Sequence, residues 1–207
     1  MKGLNVLNMN RSRTIKRLID VIVSLFVIIF ILSWMLPILV LLIKTESEGP
    51  GIFKQERSGR YNKPFWCYKL RSMRLNPAIV HIQATKNDPR VTRIGAFIRR
   101  TSLDELPQFF NVLLGNMSLV GPRPHMLKHT EEFSQTIDQY MDRHFLKPGI
   151  TGWAQINGYR GEVKVHDELL KRVEHDIWYI ENWTITHDIK ILVNTATNVL
   201  KGEENAY

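Results

Sequence analysis

Two adjacent carboxylates, Asp104 and Glu105, are the side chains in this sequence best suited to chemistry. The segment IRRTSL precedes them, so Arg99 and Arg100 stand close by along the chain. Neighbouring positive charge keeps a carboxylate ionised. An ionised carboxylate in such a position could bind a divalent cation or attack an electrophilic phosphorus atom. The sequence therefore offers a candidate catalytic pair at residues 104 and 105.

The same pair also fits a purely structural role. Ser102 and Glu105 have the spacing of a capping box, in which Glu105 would reach back to the Ser102 backbone at the start of a helix. Asp104 would then favour the positive end of the helix dipole. Pro107 argues against a helix capped at Ser102, because its missing N–H should have bonded the carbonyl of Leu103. We therefore expect a kink or a later helix start, and both roles stay open.

Basic side chains beside restricted backbone form a candidate phosphate site. In GPRP, Arg123 lies between Pro122 and Pro124, so its guanidinium loses little conformational freedom when it grips an anion. Arginine can hold a phosphate with two hydrogen bonds. In KLRSMR, Lys69 and Arg71 alternate along a predicted strand and would share one face. A solvated basic face beside anionic lipid is the alternative for this run.

The composition points to an acidic partner. The chain has 207 residues, a formal net charge of +8 and 44% hydrophobic residues, which is enough for one folded domain. Nucleic acid, anionic lipid and phosphorylated small molecules would all suit this charge. No nucleic-acid-binding module is recognisable, so no nucleic-acid partner is predicted. The single cysteine, Cys67, cannot form an intrachain disulfide, which suits a reducing cytoplasm.

Two other activities are not favoured. A glycoside hydrolase needs two carboxyl groups that flank a bond at about 5 Å or more, which adjacent residues do not naturally provide. His125 and His129 have a helical spacing that could suit zinc, but no HExxH motif or nearby third ligand accompanies them.

A long apolar segment runs from Leu18 to Ile43. It contains roughly 26 residues and would measure about 39 Å as a helix, which exceeds a hydrocarbon core of about 30 Å. By the positive-inside rule both ends would face the cytoplasm, because both flanks are basic. The flanking residues are Arg11, Arg13, Lys16 and Arg17 before the segment, and Lys44, Lys54, Arg57 and Arg60 after it. The segment thus predicts a membrane helix with both ends on one side.

A re-entrant helix needs a break, and Ser33 and Pro37 are the candidates. Proline removes a backbone donor and clashes with the preceding turn, while Ser33 can bond carbonyl groups that the break frees. Asp20, near the beginning of the segment, would pair with Lys16 or Arg17 one turn earlier. A single span with a proline kink is the alternative.

The rest of the chain predicts a small domain that is α+β and mainly helical. The run IFKQERSGRYNKPFWCYKL contains two aromatic-rich stretches typical of a β-hairpin. SLDELPQFFNVLLG has helical apolar spacing and ends at Gly115. Amphipathic surface helices are predicted over residues 131–146, 165–183 and 185–202.

The predicted organisation has three parts. They are a basic N-terminal segment at 1–17, a re-entrant membrane helix at 18–43 and a cytoplasmic catalytic domain at 44–207. Trp178, Tyr179 and Trp183 favour a position of the last helices at the membrane surface, where aromatic residues are enriched.

Several motifs in one order resemble a known family. They are Lys16-Arg17-x-x-Asp20, the apolar segment with its proline, GPGIFKQERSG, KLRSM, NDPRVTRIG, RRTSLDELPQ, MSLVGPRP and KPGITGWAQ. From about Lys16 to Tyr207 the sequence resembles the polyprenyl-phosphate hexose-1-phosphate transferases, bacterial sugar transferases of capsule and exopolysaccharide assembly. GWAQINGYRGE and the ending ENAY are similar to the undecaprenyl-phosphate glucose phosphotransferase branch.

The resemblance implies a monotopic enzyme on the cytoplasmic face of the bacterial inner membrane, in contact with its lipid. It would transfer hexose 1-phosphate from a UDP-hexose to polyprenyl (undecaprenyl) phosphate, release UMP, use Mg²⁺ and initiate assembly of a glycan repeat unit. Asp104 would be the nucleophile that forms an aspartyl-phosphosugar intermediate. Glu105 would assist by metal binding or proton handling, so both carboxylates are candidate metal ligands. The positions expected to neutralise the diphosphate are Lys69, Arg71, Arg100 and Arg123.

The chain departs from the family pattern in two respects. Ser33 and Pro37 are separated, whereas the family often has a Ser-Pro dipeptide at the helix break. Longer members carry an additional multi-span N-terminal region, so this chain is either a short form or the catalytic piece of a longer protein. A non-enzymatic, membrane-tethered scaffold of a polysaccharide export complex is the alternative function. The sequence leaves the hexose and the oligomeric state, a homodimer included, open.

Overall fold

The computed structural model describes residues 2–75, 85, 88–161 and 166–201. Within them the chain is mainly helical with two small two-stranded sheets, so the predicted mainly helical α+β class is confirmed. The ENAY ending lies outside the described residues. The helices are α1 (Lys2–Val27), α2 (Ser33–Glu46), α3 (Arg93–Arg100), α4 (Gln108–Leu114), α5 (Leu127–Ser134), α6 (Trp153–Ile156), α7 (His166–Glu181) and α8 (Ile185–Lys201). The strands are β1 (Ile52–Ser58), β2 (Pro64–Leu70), β3 (Ser118–Val120) and β4 (Gly149–Thr151).

The apolar segment is helical throughout. A π-helical turn at Ile28–Leu32 joins α1 to α2, and the helix from Arg11 to Glu46 is long and apolar enough to cross a membrane. Its exposed large apolar side chains include Leu18, Ile22, Phe26, Ile29, Phe30, Trp34, Ile38 and Leu41. So much contiguous apolar surface is typical of a segment that contacts lipid or another apolar partner.

The helix irregularity begins ahead of the predicted break. The Ser33 backbone N–H donates to the Ile28 carbonyl five residues earlier, and the Ser33 hydroxyl donates to the Ile29 carbonyl at 2.6 Å. Pro37 lies inside α2, which continues past it to Glu46. Proline removes an N–H from the helical ladder, and π-turns are common where that ladder is disturbed. The irregular turn therefore lies at Ile28–Leu32, directly before the α-helix that contains Pro37.

Both halves of the apolar helix pack against the same domain. Asp20 of α1 accepts hydrogen bonds from β3, including one of 2.9 Å from the Leu119 N–H. Leu39 and Ile43 of α2 form a buried cluster with Leu70 of β2 and with α3. The two halves are thus fixed to one body.

The basic residues before the apolar segment contact the domain instead of Asp20. Lys16 donates to the Asp188 carboxylate at 2.5 Å and to the Val120 carbonyl at 2.9 Å. Arg17 donates to the carbonyls of Val112 and Leu113 at 2.6 and 2.8 Å, at the C-terminal end of α4. The predicted pairing of Asp20 with these residues is therefore wrong, because β3, α4 and α8 supply better-placed partners.

The predicted β-hairpin is confirmed. β1 and β2 pair antiparallel, with Ile52 opposite Leu70 and Ser58 opposite Pro64. Tyr61 and Asn62 in the connecting loop have positive φ angles of 56° and 57°. β3 and β4 form a second, parallel pair that sequence reasoning did not predict. This pair holds the strand that leads into GPRP.

A buried cluster connects the hairpin, β3 and the last two helices. It contains Phe65, Cys67, Val112, Met117, Leu119, Val120, Tyr179 and Ile191, with Ile19 and Val23 of α1 packed against it. Tyr179 is 1% exposed and therefore belongs to the core, whereas Trp178 is 39% exposed.

One predicted helix is wrong in extent. Residues 131–146 form the end of α5 and a separate 3₁₀ turn at Tyr140–Phe145. Gln139, between them, has a φ of 60°, a left-handed conformation that an α-helix does not continue through. The two later predicted helices are confirmed as α7 and α8.

Candidate active site

The two candidate carboxylates lie on a tight turn between α3 and α4. Ser102 has a left-handed backbone with a φ of 57°, and a 3₁₀ turn at Leu103–Glu105 follows it. α4 begins at Gln108, with Pro107 as its N-cap, which confirms the expected later helix start. The Ser102 side chain makes no capping hydrogen bond, so the capping box is wrong.

Three cations surround the Glu105 carboxylate. Lys69 Nζ and Arg123 Nη2 donate to Oε1 at 2.8 and 2.7 Å, and Arg160 Nη2 donates to Oε2 at 3.2 Å. Burial alone would raise the pKa of Glu105, but Arg123, Lys69 and Arg160 outweigh it and hold the pKa well below its usual range. Glu105 is therefore an ionised anchor for the cations of the site.

Asp104 has a different environment from its neighbour. No described residue donates a hydrogen bond to its carboxylate or forms an ion pair with it. Burial raises the pKa of Asp104 to about 6; Lys69 opposes this rise and the Glu105 charge adds to it. Asp104 therefore has uncommitted oxygen atoms beside a cationic cluster, which is the state that a nucleophile for phosphorus requires.

The hairpin and α4 set the distance between Lys69 and Glu105. The side chain of the buried Asn111 in α4 accepts from the Tyr68 N–H at 2.9 Å and donates to the Trp66 carbonyl at 2.7 Å. These bonds extend the hydrogen bonding of β2 onto α4. They fix α4, and with it the preceding carboxylate turn, against the strand that carries Lys69.

Two of the predicted phosphate-binding residues are not brought to Glu105. The buried Arg71 donates to the carbonyls of Ser47 and Glu48, both at 2.6 Å, at the end of α2. Arg100 is exposed and forms no ion pair among the described residues. The adjacent Arg99 is near enough to lower the pKa of Asp104. Lys69 and Arg123 are therefore the two predicted cations that the structure assembles at the site.

Arg160 is the site residue that sequence reasoning missed. In addition to Glu105, it donates to the Ser102 hydroxyl at 2.9 Å, so it contacts both ends of the carboxylate turn. Arg160 lies in INGYRG, a loop-forming stretch 55 positions after Glu105. No helix or strand periodicity in this stretch indicated that its side chain would reach the site. A single arginine between an aromatic residue and a glycine in a loop was the available hint.

The described residues contain no group of three or more His, Cys, Asp or Glu side chains that could hold a metal ion. Mg²⁺ often binds through one or two carboxylates together with substrate phosphates and water. The uncommitted carboxylate of Asp104 fits such a role. Glu105 fits it less well, because its oxygen atoms already accept hydrogen bonds from three cations.

The sequence matches the family described as bacterial sugar transferase over residues 11–202. The site thus combines three cations bound to Glu105 with the neighbouring Asp104 carboxylate, in a domain that packs against a long apolar helix. The chain belongs to the bacterial sugar transferase family.

Particular relatives carry more specific names. The chain is 50% identical over 196 residues to the UDP-glucose:undecaprenyl-phosphate glucose-1-phosphate transferase of Escherichia coli strain K12, covering 94% of this chain and 41% of that protein. The protein of the same name from Klebsiella pneumoniae is 52% identical over 195 residues, with 93% and 41% covered. The undecaprenyl-phosphate galactose phosphotransferase of Salmonella typhimurium is 41% identical over 219 residues, with 98% and 44% covered. The chain thus spans about two fifths of the length of these relatives.

Proposed function

We propose that the chain transfers hexose 1-phosphate from a UDP-hexose to undecaprenyl phosphate and releases UMP. The observation that carries this proposal is the contrast between an uncommitted Asp104 carboxylate and a Glu105 carboxylate that gathers three cations. The names of the relatives support the acceptor and the UDP-sugar donor. Glucose is the first hexose to test, because the Escherichia coli and Klebsiella pneumoniae relatives, which are 50% and 52% identical to this chain, carry glucose in their names.

The first step uses Asp104 as the nucleophile. One carboxylate oxygen attacks the β-phosphorus of the UDP-hexose and forms a new phosphorus–oxygen bond. The bond from this phosphorus to the oxygen that bridges the two phosphates breaks, and its electron pair leaves with UMP. Lys69, Arg123 and Arg160 stabilise the negative charge that develops on the phosphate oxygens.

The second step restores the carboxylate. An oxygen of the acceptor phosphate attacks the phosphorus of the aspartyl-phosphosugar, and the bond to Asp104 breaks. The product is a polyprenyl diphosphate sugar, which would initiate a capsule or exopolysaccharide repeat unit. No proton transfer is needed in either step because both attacking oxygens are ionised.

Asp104 would hold Mg²⁺, and Glu105 stays a predicted second ligand that would have to share its oxygen atoms between the ion and the three cations. When bound, the ion would offset the repulsion between a carboxylate and an anionic phosphate. Arg71 and Arg100 as phosphate ligands stay predictions. A substrate contact by Arg71 would require it to leave the carbonyls of Ser47 and Glu48.

The apolar helix is proposed to be re-entrant, with the domain on the cytoplasmic side of the inner membrane. Asp20 and Leu39 both contact the domain. In a straight helix these residues would be about 28 Å apart, close to the hydrocarbon thickness of about 30 Å. A domain on one side of the membrane could not reach both ends of such a span, so the two contacts support a helix that returns.

Asp104→Asn is the decisive variant for the reaction. We expect detergent-solubilised wild-type protein with Mg²⁺ and undecaprenyl phosphate to release UMP from UDP-glucose or UDP-galactose. The variant should lose roughly 10³-fold or more of this rate, because an amide cannot serve as the nucleophile. Chromatographic separation of UMP from UDP measures the outcome.

Asp138→Asn is the matched control, because Asp138 is an exposed carboxylate that lies outside the site. It should retain the wild-type rate. UDP as the product would mean an ordinary glycosyl transfer and would overturn the mechanism. Wild-type activity that survives Asp104→Asn would remove Asp104 as the nucleophile, and no turnover with any UDP-sugar would favour the scaffold function.

A further inference from the structure

A buried ion pair lies behind the loop that carries Arg123. Arg143 and Asp176 are each 2% exposed, and Arg143 donates to Asp176 Oδ2 through Nε at 3.1 Å and through Nη2 at 2.6 Å. The same Nη2 donates to the backbone carbonyl of Arg123 at 2.8 Å. Arg143 therefore connects α7, which carries Asp176, to the backbone of the GPRP loop.

The same arginine is linked to the far end of this loop. Its Nη1 lies 3.4 Å from the Tyr140 hydroxyl, and that hydroxyl is 2.6 Å from Nδ1 of the buried His125. The loop is thus held at residue 123 through its carbonyl and at residue 125 through an imidazole. Pro122 and Pro124 restrict the backbone on either side of Arg123.

Arg143 does not serve as a second phosphate ligand in this arrangement. Its charge is balanced by Asp176 inside the protein, whereas the guanidinium of Arg123 points to Glu105 at 2.7 Å. A buried ion pair adds little to stability compared with apolar residues of similar volume. The geometry of the pair instead orients the GPRP loop. One guanidinium donates hydrogen bonds both to the Asp176 carboxylate and to the backbone carbonyl of Arg123.

We propose that Arg143, oriented by Asp176, is a positioning residue that holds the Arg123 guanidinium in register with Glu105 and the substrate diphosphate. This inference rests on the proposed function, in which Arg123 stabilises the phosphate charge. Arg143 acts through the Arg123 backbone and does not touch the substrate.

The variant pair Arg143→Met with Asp176→Leu tests the proposal. Replacing both charges by apolar groups leaves neither partner of this pair unpaired. The buried Arg172 loses the attraction of Asp176 and the repulsion of Arg143 together and keeps its hydrogen bond to the Gly161 carbonyl, so we expect the fold to be retained. The variant loses the hydrogen bond to the Arg123 carbonyl. We expect kcat/KM for the UDP-hexose to fall about tenfold, and the midpoint of thermal unfolding to stay near that of the wild type.

The decisive comparison repeats the pair in an Arg123→Gln background. Arg123→Gln alone should lower kcat/KM by roughly 10- to 100-fold. If Arg143 acts through Arg123, adding Arg143→Met and Asp176→Leu to it should change the rate by less than about twofold, since coupled residues are not additive. A general structural defect would lower the rate about tenfold in both backgrounds and would overturn the proposal.

Two further variants keep the outcome unambiguous. Lys128→Met with Glu132→Gln removes an exposed ion pair of α5 and should leave the rate unchanged in both backgrounds. Arg143→Lys retains the positive charge but lacks the forked guanidinium. It is the replacement if the Arg143→Met, Asp176→Leu variant does not fold, and it too should change the rate by less than about twofold in the Arg123→Gln background. Unchanged kcat/KM in Arg123→Gln would instead overturn the role of Arg123 itself.

Discussion

Asp104 and Glu105 are neighbours in sequence, yet their surroundings drive their pKa values in opposite directions. Glu105 is held ionised by Arg123, Lys69 and Arg160 despite its burial, while burial raises the pKa of Asp104. Pairs of titratable groups that are driven apart in this way commonly have separate catalytic roles. This contrast supports the proposed division of roles, in which Glu105 binds the cations and Asp104 is the nucleophile.

His144 gives a pH dependence that can be measured independently of activity. Burial, with a further contribution from the Arg143 charge, lowers the pKa of His144 from 6.5 to about 4. Between these pH values the unfolded chain binds a proton that the folded chain does not, so stability falls as the pH falls. The loss at pH 5 relative to pH 8 is about 2 kcal/mol from this group.

The corresponding measurement is the free energy of unfolding of wild type and His144→Gln at pH 5 and pH 8. The variant should lose about 2 kcal/mol less than the wild type over this interval. His166→Gln, at an exposed position, should retain the wild-type pH dependence. Equal pH dependence in His144→Gln and wild type would contradict the depressed pKa.

The site residues that could be predicted from the sequence are those whose immediate neighbours along the chain indicate their role. Asp104 and Glu105 were identified by their basic neighbours and Pro107, and Arg123 by its flanking prolines. Arg160 was missed because its contacts with Ser102 and Glu105 join chain segments more than 50 residues apart. Arg71 was predicted to share a face with Lys69 because residues alternate along a strand. Strand alternation does not report that the carbonyls of Ser47 and Glu48, at the end of α2, lie close enough to bind its guanidinium.

Secondary structure was likewise predicted where the local sequence pattern determines it, and missed where it depends on contacts between distant segments. The hairpin, α7 and α8 have clear periodicity and were predicted. β3 and β4 have three residues each, too few for a pattern, and their pairing depends on contacts between Ser118 and Gly149 and between Val120 and Thr151. The helix predicted over 131–146 failed because the apolar spacing did not report the left-handed Gln139.

Arg17 links α1 to the end of α4 and gives a prediction about the stability of this contact. Arg17→Gln removes two charge-assisted hydrogen bonds to the carbonyls of Val112 and Leu113. We expect a loss of about 1–3 kcal/mol in the free energy of unfolding. Denaturant unfolding monitored by tryptophan fluorescence in detergent measures it.

Arg13→Gln is the control, because Arg13 is an exposed residue of the same helix and the substitution removes the same charge. It should change stability by less than about 0.5 kcal/mol. Equal losses in the two variants would show that the charge before the apolar segment, and not the contact with α4, stabilises the protein.

The apolar helix and the domain form one packed unit, which leads to a prediction of topology. With Cys67 replaced by serine, single cysteines at Ser12 and Thr45 should both react with a membrane-impermeant maleimide in inverted inner-membrane vesicles. Neither should react in right-side-out vesicles, since both ends of a re-entrant helix face the cytoplasm. Labelling of the two positions from opposite sides would establish a single span with a proline kink.

The contact between Lys16 and Asp188 also sets an order of events during synthesis. The two residues are 172 positions apart, so roughly 10–30 s of translation separate them at about 5–20 residues per second. The apolar helix leaves the ribosome long before α8, its partner, exists. Its partners in α4 and β3, which contact Arg17 and Asp20, are synthesised 95 and 99 positions later, so the start of the helix leaves the ribosome before any of these contacts can form. In the proposed topology the basic flanks would orient the helix at this stage, and the same Lys16 later becomes a structural contact of the finished domain.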